Sequence, residues 1–162
     1  YMFYNCRNFN QPLNIWNTSN VTNMSSMFEK CENFNQSLNS WNTSKVTNMS
    51  SMFEKCENFN QSLNNWDTSN VTNMCKMFRF CGKFNSSLNN WKTSNVTNMK
   101  GMFFGTLLTF GIFDFIDLMN NWDLSKINDK NEMILNYFEN NNNNNNYNIF
   151  RIMSGMGGLS YN

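Results

Sequence analysis

The chain of 162 residues contains no histidine. That removes at one stroke the commonest general base, nucleophile activator and metal ligand. Proline occurs once and glycine seven times. Charge is sparse and balanced: twelve basic against eleven acidic residues leave +1, without the clustered basic face expected of a nucleic-acid binder. Long apolar runs are missing too. The longest, Leu107 to Met119, is short and holds Asp114 and Asp117, so it is no transmembrane helix. No nucleophile–base pair, phosphate loop or metal signature occurs, so neither an enzyme nor a cofactor is expected. The first residue, Tyr1, falls inside a repeat, which reads as a fragment or a processed product; a missing leader therefore decides nothing.

What the chain has instead is asparagine and repetition. Residues 26–50 read SMFEKCENFNQSLNSWNTSKVTNMS, and residues 51–75 differ from them at only four positions. The period is 25 residues, in the range of stacked repeat architectures. The columns in phase are Cys6, Cys31, Cys56, Cys81; Phe9, Phe34, Phe59, Phe84; and Trp16, Trp41, Trp66, Trp91. Leucine, valine, methionine and Met-Phe columns keep the same step. Units run over 1–25, 26–50, 51–75 and 76–103. After a six-residue insertion a worn copy covers 115–134, where FIDLMNNWDLS aligns with FNQSLNNWDTS. Residues 135–162 are an Asn-rich linker, with Asn140 to Asn146 as its polar run, and an unassigned tail.

Val46, Met49, Met52, Phe53 and Cys56 fall at i, i+3, i+6, i+7 and i+10, the spacing of one helix face. Thr43, Ser44 and Thr47 before them are N-cap types. A short extended segment is expected around Gln61 to Asn65. The predicted fold is an α/β repeat, a leucine-rich-repeat-like solenoid with one short helix and one short parallel strand per 25-residue coil. One unit buries too little to stand alone, so stacking is a condition of folding. Two asparagine ladders are expected to run through the stack: Asn10, Asn35, Asn60, Asn85 and Asn14, Asn39, Asn64, Asn89.

The phrase MFEKCENFNQSLNSWNTSKVTNM resembles the repeat of BspA-like leucine-rich-repeat surface proteins, also found in mycoplasma-type lipoproteins. The resemblance covers residues 2 to about 103 strongly and 115–134 weakly. It implies a solenoid, a cell-surface or secreted setting and a role in adhesion or protein binding. Similar repeats in protists and large DNA viruses make the alternative a structural or scaffolding protein, intracellular or virion-associated. The partner implied is a protein: a host or matrix protein, or a structural neighbour. The family supplies no catalytic residues.

Each sharper reading has a plain competitor. The cysteine column could be a disulfide framework or thiolate site, but steps of 25 lack the C-x-x-C spacing of zinc ligands. A small core residue explains it better. Cys75 stands outside that column and reads as an exposed thiol. The tryptophans could form a sugar platform; recurrence beside Leu and Val favours core. The threonine columns invite an ice-binding reading, yet caps and turn bonds account for them. N-x-S/T triplets follow from the repeat itself. Positions that change between copies are expected to face outward. Among these, Arg79, Phe80 and Lys83, with Phe104 one unit on, form the candidate protein-binding patch, because arginine and aromatics dominate binding hot spots. Drift at the worn end of an array would leave the same pattern.

Overall fold

A computed structural model describes residues 1–106, 120–128 and 133. Within each unit the backbone N–H groups alternate between two kinds of partner. Met52, Glu54 and Cys56 donate to the carbonyls of Met49, Ser51 and Phe53 at 3.2, 3.1 and 2.9 Å, closing successive tight turns. Met49, Ser51, Phe53 and Lys55 donate instead to Asn73, Cys75, Met77 and Arg79 of the next unit, at 2.7–3.0 Å. Units 2 and 4 repeat the scheme with their own neighbours. The result is a pile of 25-residue rounds built from turns.

This overturns the expected α/β solenoid. Among the described residues, helix is confined to Asn120, Asn121 and a 3₁₀ position at Met133, and strand pairing to single parallel bridges. Those bridges join Asn23 to Asn48, Asn48 to Asn73 and Asn73 to Asn98. Helix is excluded over Val46 to Cys56 because Ser51 and Lys55 take positive φ values, 53° and 62°. Left-handed residues four apart reverse the chain and aim alternate N–H groups at the neighbouring unit, where an α-helix would aim all of them at i−4. Consecutive tight turns return a side chain to the same side every three to four residues, as a helix does. That shared spacing is why the pattern read as helical.

The predicted strand fails for a different reason. Along residues 59–63 the acceptor for the next unit is a side chain. The N–H of Asn60 donates to Oδ1 of Asn35 at 2.9 Å, and that of Asn85 to Oδ1 of Asn60 at 2.8 Å. The first asparagine ladder therefore exists, as an amide oxygen holding a backbone N–H. The second does not form: the N–H groups of Asn39, Asn64 and Asn89 turn to the hydroxyls of Ser37, Ser62 and Ser87 two residues back.

Stacking of identical rings builds the core. Phe3, Phe28, Phe53, Phe78 and Phe103 follow one another at 5.5–5.9 Å between centroids. Phe9, Phe34, Phe59 and Phe84 do so at 5.8–6.0 Å. The indole N–H of Trp41, Trp66 and Trp91 donates to the carbonyl of Leu13, Leu38 and Leu63 at 2.9–3.1 Å. These tryptophans are buried, which removes the sugar platform. Thr18, Thr43 and Thr68 are buried and donate to carbonyls of the following unit. Thr47, Thr72 and Thr97 are exposed and donate to the unit before.

Across residues 107–119, which lie outside the described residues, the step lengthens. Trp122 stacks on Trp91 at 6.3 Å, Thr93 donates to the carbonyl of Asp123, and Phe103 donates to that of Met133. Partners 25 apart elsewhere are 31 apart here, for Trp91 with Trp122 and for Asn95 with Lys126. The linker and tail over 135–162 also lie outside the described residues.

Candidate functional site

The candidate site begins with a sequence change. In units 2 and 3 the column ahead of the left-handed lysine holds Glu29 and Glu54; in unit 4 it holds Arg79 and next Phe104. Because the rounds stack in register, Arg79 lies directly over Glu54. Nη1 of Arg79 donates to Oε1 of Glu54 at 2.8 Å, and the hydroxyl of Ser51 donates to Oε2 at 2.9 Å. Glu54 is buried, and Arg79 keeps about a third of its side chain exposed (32%). A carboxylate buried in this way demands a charged partner, and the guanidinium supplies it.

Two rings pack against the guanidinium. Its centre lies 4.8 Å from the Phe80 ring centroid and 5.0 Å from that of Phe104. The rings themselves meet edge-on at 4.9 Å and 83°. The ammonium of Lys55 sits 5.8 Å from the Phe80 centroid on the side of the preceding unit. Phe80 has a left-handed backbone, φ 58°, tied by its N–H to the carbonyl of Phe104 at 2.7 Å. Gly105, φ 74°, makes room for the ring: a Cβ there would come within 2.4 Å of Phe80 Cδ1.

Of the four residues singled out in the sequence, the structure brings together Arg79, Phe80 and Phe104. Lys83 belongs elsewhere: its ammonium donates to Oδ1 of Asn58 at 2.7 Å, capping a row that continues through Asn33 and Asn8. Sequence reasoning missed Glu54, Ser51, Lys55 and Gly105. Their signal was the 25-residue step itself, since Glu54 and Lys55 precede Arg79 and Phe80 by one unit and Gly105 follows Phe80 by one. The same edge carries a second contact of this type: Lys30 donates to the Tyr4 hydroxyl oxygen at 2.6 Å and lies over that ring at 4.8 Å. The Tyr4 bond raises the Lys30 pKa.

Variable columns are not uniformly outward-facing. Ser26 and Glu54 are buried, and the columns 26/51/76/101 and 30/55/80/105 hold left-handed residues in every unit, ending in Gly101 and Gly105. Cys75 is half-buried rather than exposed, and burial raises its pKa. Cys6, placed by its column in the core, is exposed on unit 1.

The remaining cysteines are buried thiols that hold the backbone. Those of Cys31, Cys56 and Cys81 donate to the carbonyls of Phe3, Phe28 and Phe53 at 2.8–3.0 Å. Among the described residues no group of His, Cys, Asp or Glu could hold a metal ion, and no helix is long and apolar enough to cross a membrane. An apolar cleft of about 340 Å³ opens on unit 1, lined by Tyr1, Met2, Trp16, Val21, Met27 and Trp41 among others.

The class defined by these observations is a repeat protein whose units stack ring on ring. The chain belongs to the family described as "Mycoplasma protein of unknown function, DUF285", whose model matches residues 1–110 and again 63–157. No curated protein and no solved structure matches it.

Proposed function

We propose that this chain is a non-enzymatic binding scaffold, displayed at a cell surface or secreted, that engages a protein partner through the Arg79–Phe80–Phe104 cluster. One observation carries the reading: an arginine packed against two partly exposed phenylalanine rings, at a place where unit 4 departs from the units before it. Arginine and aromatic residues contribute most where they are rigid before binding. The BspA-like resemblance supports the surface setting and the adhesive role. The test is binding of purified chain to immobilised extracellular-matrix proteins, with Phe80→Ala/Phe104→Ala as the variant. Loss of binding with an unchanged unfolding midpoint supports the cluster; undiminished binding by the variant removes it.

The second reading is a structural or scaffolding protein without a dedicated ligand. The regularity of the ring columns from Phe3 to Phe103 favours it, because such stacking serves length and stiffness whatever the surface. It expects no matrix binding at all.

A further inference from the structure

We infer that the Arg79 cluster takes an acidic peptide segment, whose carboxylate meets the outer side of the guanidinium. The inference rests on the binding-scaffold reading and names its partner class.

Arginine has five N–H donors in a rigid fork. Glu54 engages Nη1 alone, and the other guanidinium N–H groups make no hydrogen bond among the described residues. The group is already oriented, by Glu54 behind it and by rings at 4.8 and 5.0 Å. An incoming carboxylate therefore meets donors whose rotamer freedom is already gone. The two rings cover part of the guanidinium, which strengthens a charge-assisted bond to its open side.

Unit 4 itself has one sign. From Thr68 to Thr106 the chain carries Lys76, Arg79, Lys83, Lys92 and Lys100 and no Asp or Glu. Unit 3, by contrast, carries Glu54, Glu57 and Asp67 against Lys55 alone. Changes from unit 3 to unit 4 such as Ser51 to Lys76, Glu54 to Arg79, Glu57 to Gly82 and Asn58 to Lys83 all add positive charge; Lys55 to Phe80 is the exception. Unbiased drift would not favour one sign. The N–H of Lys76 donates to the Lys100 carbonyl at 2.9 Å and that of Arg79 to the Lys76 carbonyl at 3.1 Å, which places the three on one edge of the stack. Of the acids in the Arg79 column, Glu54 is buried beneath Arg79 and Glu29 lies one unit further away.

A peptide fits this surface better than a nucleic acid or a sulfated polysaccharide. Those polyanions need a continuous basic track. Here Lys83 is turned to Asn58, and Lys92 lies beside Asp67. What is left is one preorganised seat with Lys55 and Lys76 at its sides, suited to a single carboxylate and its neighbours.

Fluorescence anisotropy with a labelled octapeptide of alternating Glu and Gly, against its Gln-Gly counterpart, tests this on the full chain. The Glu peptide binds and the Gln peptide does not, and affinity falls as salt rises. Arg79→Lys keeps the charge facing Glu54 and weakens binding about tenfold, because the fork is lost. Lys55→Gln/Lys76→Gln leaves the Arg79–Glu54 pair untouched and also weakens binding, whereas Lys92→Gln does not. Equal binding of both peptides, or indifference to both the Arg79 and the Lys55/Lys76 changes, overturns the inference. So does tighter Arg79-dependent binding of a heparin hexasaccharide or an oligo-dT octamer. If matrix binding is lost in Phe80→Ala/Phe104→Ala while the Glu peptide fails to bind, the acidic partner falls and the scaffold reading stands.

Discussion

Thr106 stands one unit after Cys81, and its hydroxyl makes the bond that the Cys81 thiol makes. Cys81 donates to the carbonyl of Phe53, and Thr106 to that of Phe78, the next phenylalanine of the same column. The column thus requires a small donor rather than sulfur chemistry.

Substitution separates the two demands. Cys81→Thr retains the donor, and Cys81→Ala removes one of the two hydrogen bonds to the Phe53 carbonyl, which keeps the Cys56 N–H, at about 0.5–1.5 kcal/mol. Urea unfolding should rank the alanine variant below the threonine one; the opposite order would show that volume, not the bond, selects this column.

Alkaline pH should weaken the fold through the same thiols. Burial pushes the Cys31 thiol up to about 11 from 9.0, and holds those of Cys56 and Cys81 above their usual range. The unfolded chain then gives up its thiol protons at lower pH than the folded chain. Stability from this source is complete below pH 9 and is lost as pH rises through 11. Urea midpoints at rising pH should fall in this window, and fall less in Cys31→Thr. An alkylating reagent should modify exposed Cys6 first, half-buried Cys75 next, and Cys31, Cys56 and Cys81 only on unfolding.

Lys55 discriminates turn from helix directly. In a helix, Lys55→Gly would cost about 1 kcal/mol. At φ 62° glycine is at ease, so Lys55→Gly should leave stability unchanged or raise it. Lys55→Ile should cost about 1–2 kcal/mol, because a β-branched side chain opposes the left-handed region. Thermal unfolding of the two variants checks the sign.

Trp66 is 3% exposed, and its indole N–H donates to the carbonyl of Leu38 at 3.1 Å. Trp66→Ala should destabilise by about 3–5 kcal/mol. Trp66→Phe keeps a ring in the column and should cost less. A loss below about 1 kcal/mol for alanine would be inconsistent with a core position.

Asn60 tests the ladder. Its Oδ1 accepts from the N–H of Asn85 and the hydroxyl of Ser86. Asn60→Asp preserves an acceptor, and Asn60→Ala removes it at about 1 kcal/mol. Amide exchange at Asn85 should quicken in the alanine variant alone.

Much of the core was legible in the sequence. Phe34, Phe59, Leu63, Trp66 and Val71 recur at one step, and all are buried. Identical apolar side chains at a fixed interval bury more surface stacked than apart, so periodicity is enough to identify them. The candidate site was legible only in part. Arg79 and Phe80 stood out as exceptions to the repeat, but Lys83, four residues from Arg79, looked like their companion and is not. Proximity along the chain misled; in a stack the relevant neighbours are one unit away, which is where Glu54, Lys55 and Gly105 lie.

The sequence by itself determined the period, the columns and which side chains those columns bury, because these follow from repetition and apolar character alone. Tertiary structure decided the course of the backbone and the electrostatics of the edge. Ser51 and Lys55 carry no mark of a positive φ, and apolar steps of three to four suit a helix and a chain of turns alike. Only the demand of each unit for acceptors in the next selects the turns. The same stacking lays Arg79 over Glu54 and against two rings, a pairing fixed by where unit 4 rests on unit 3.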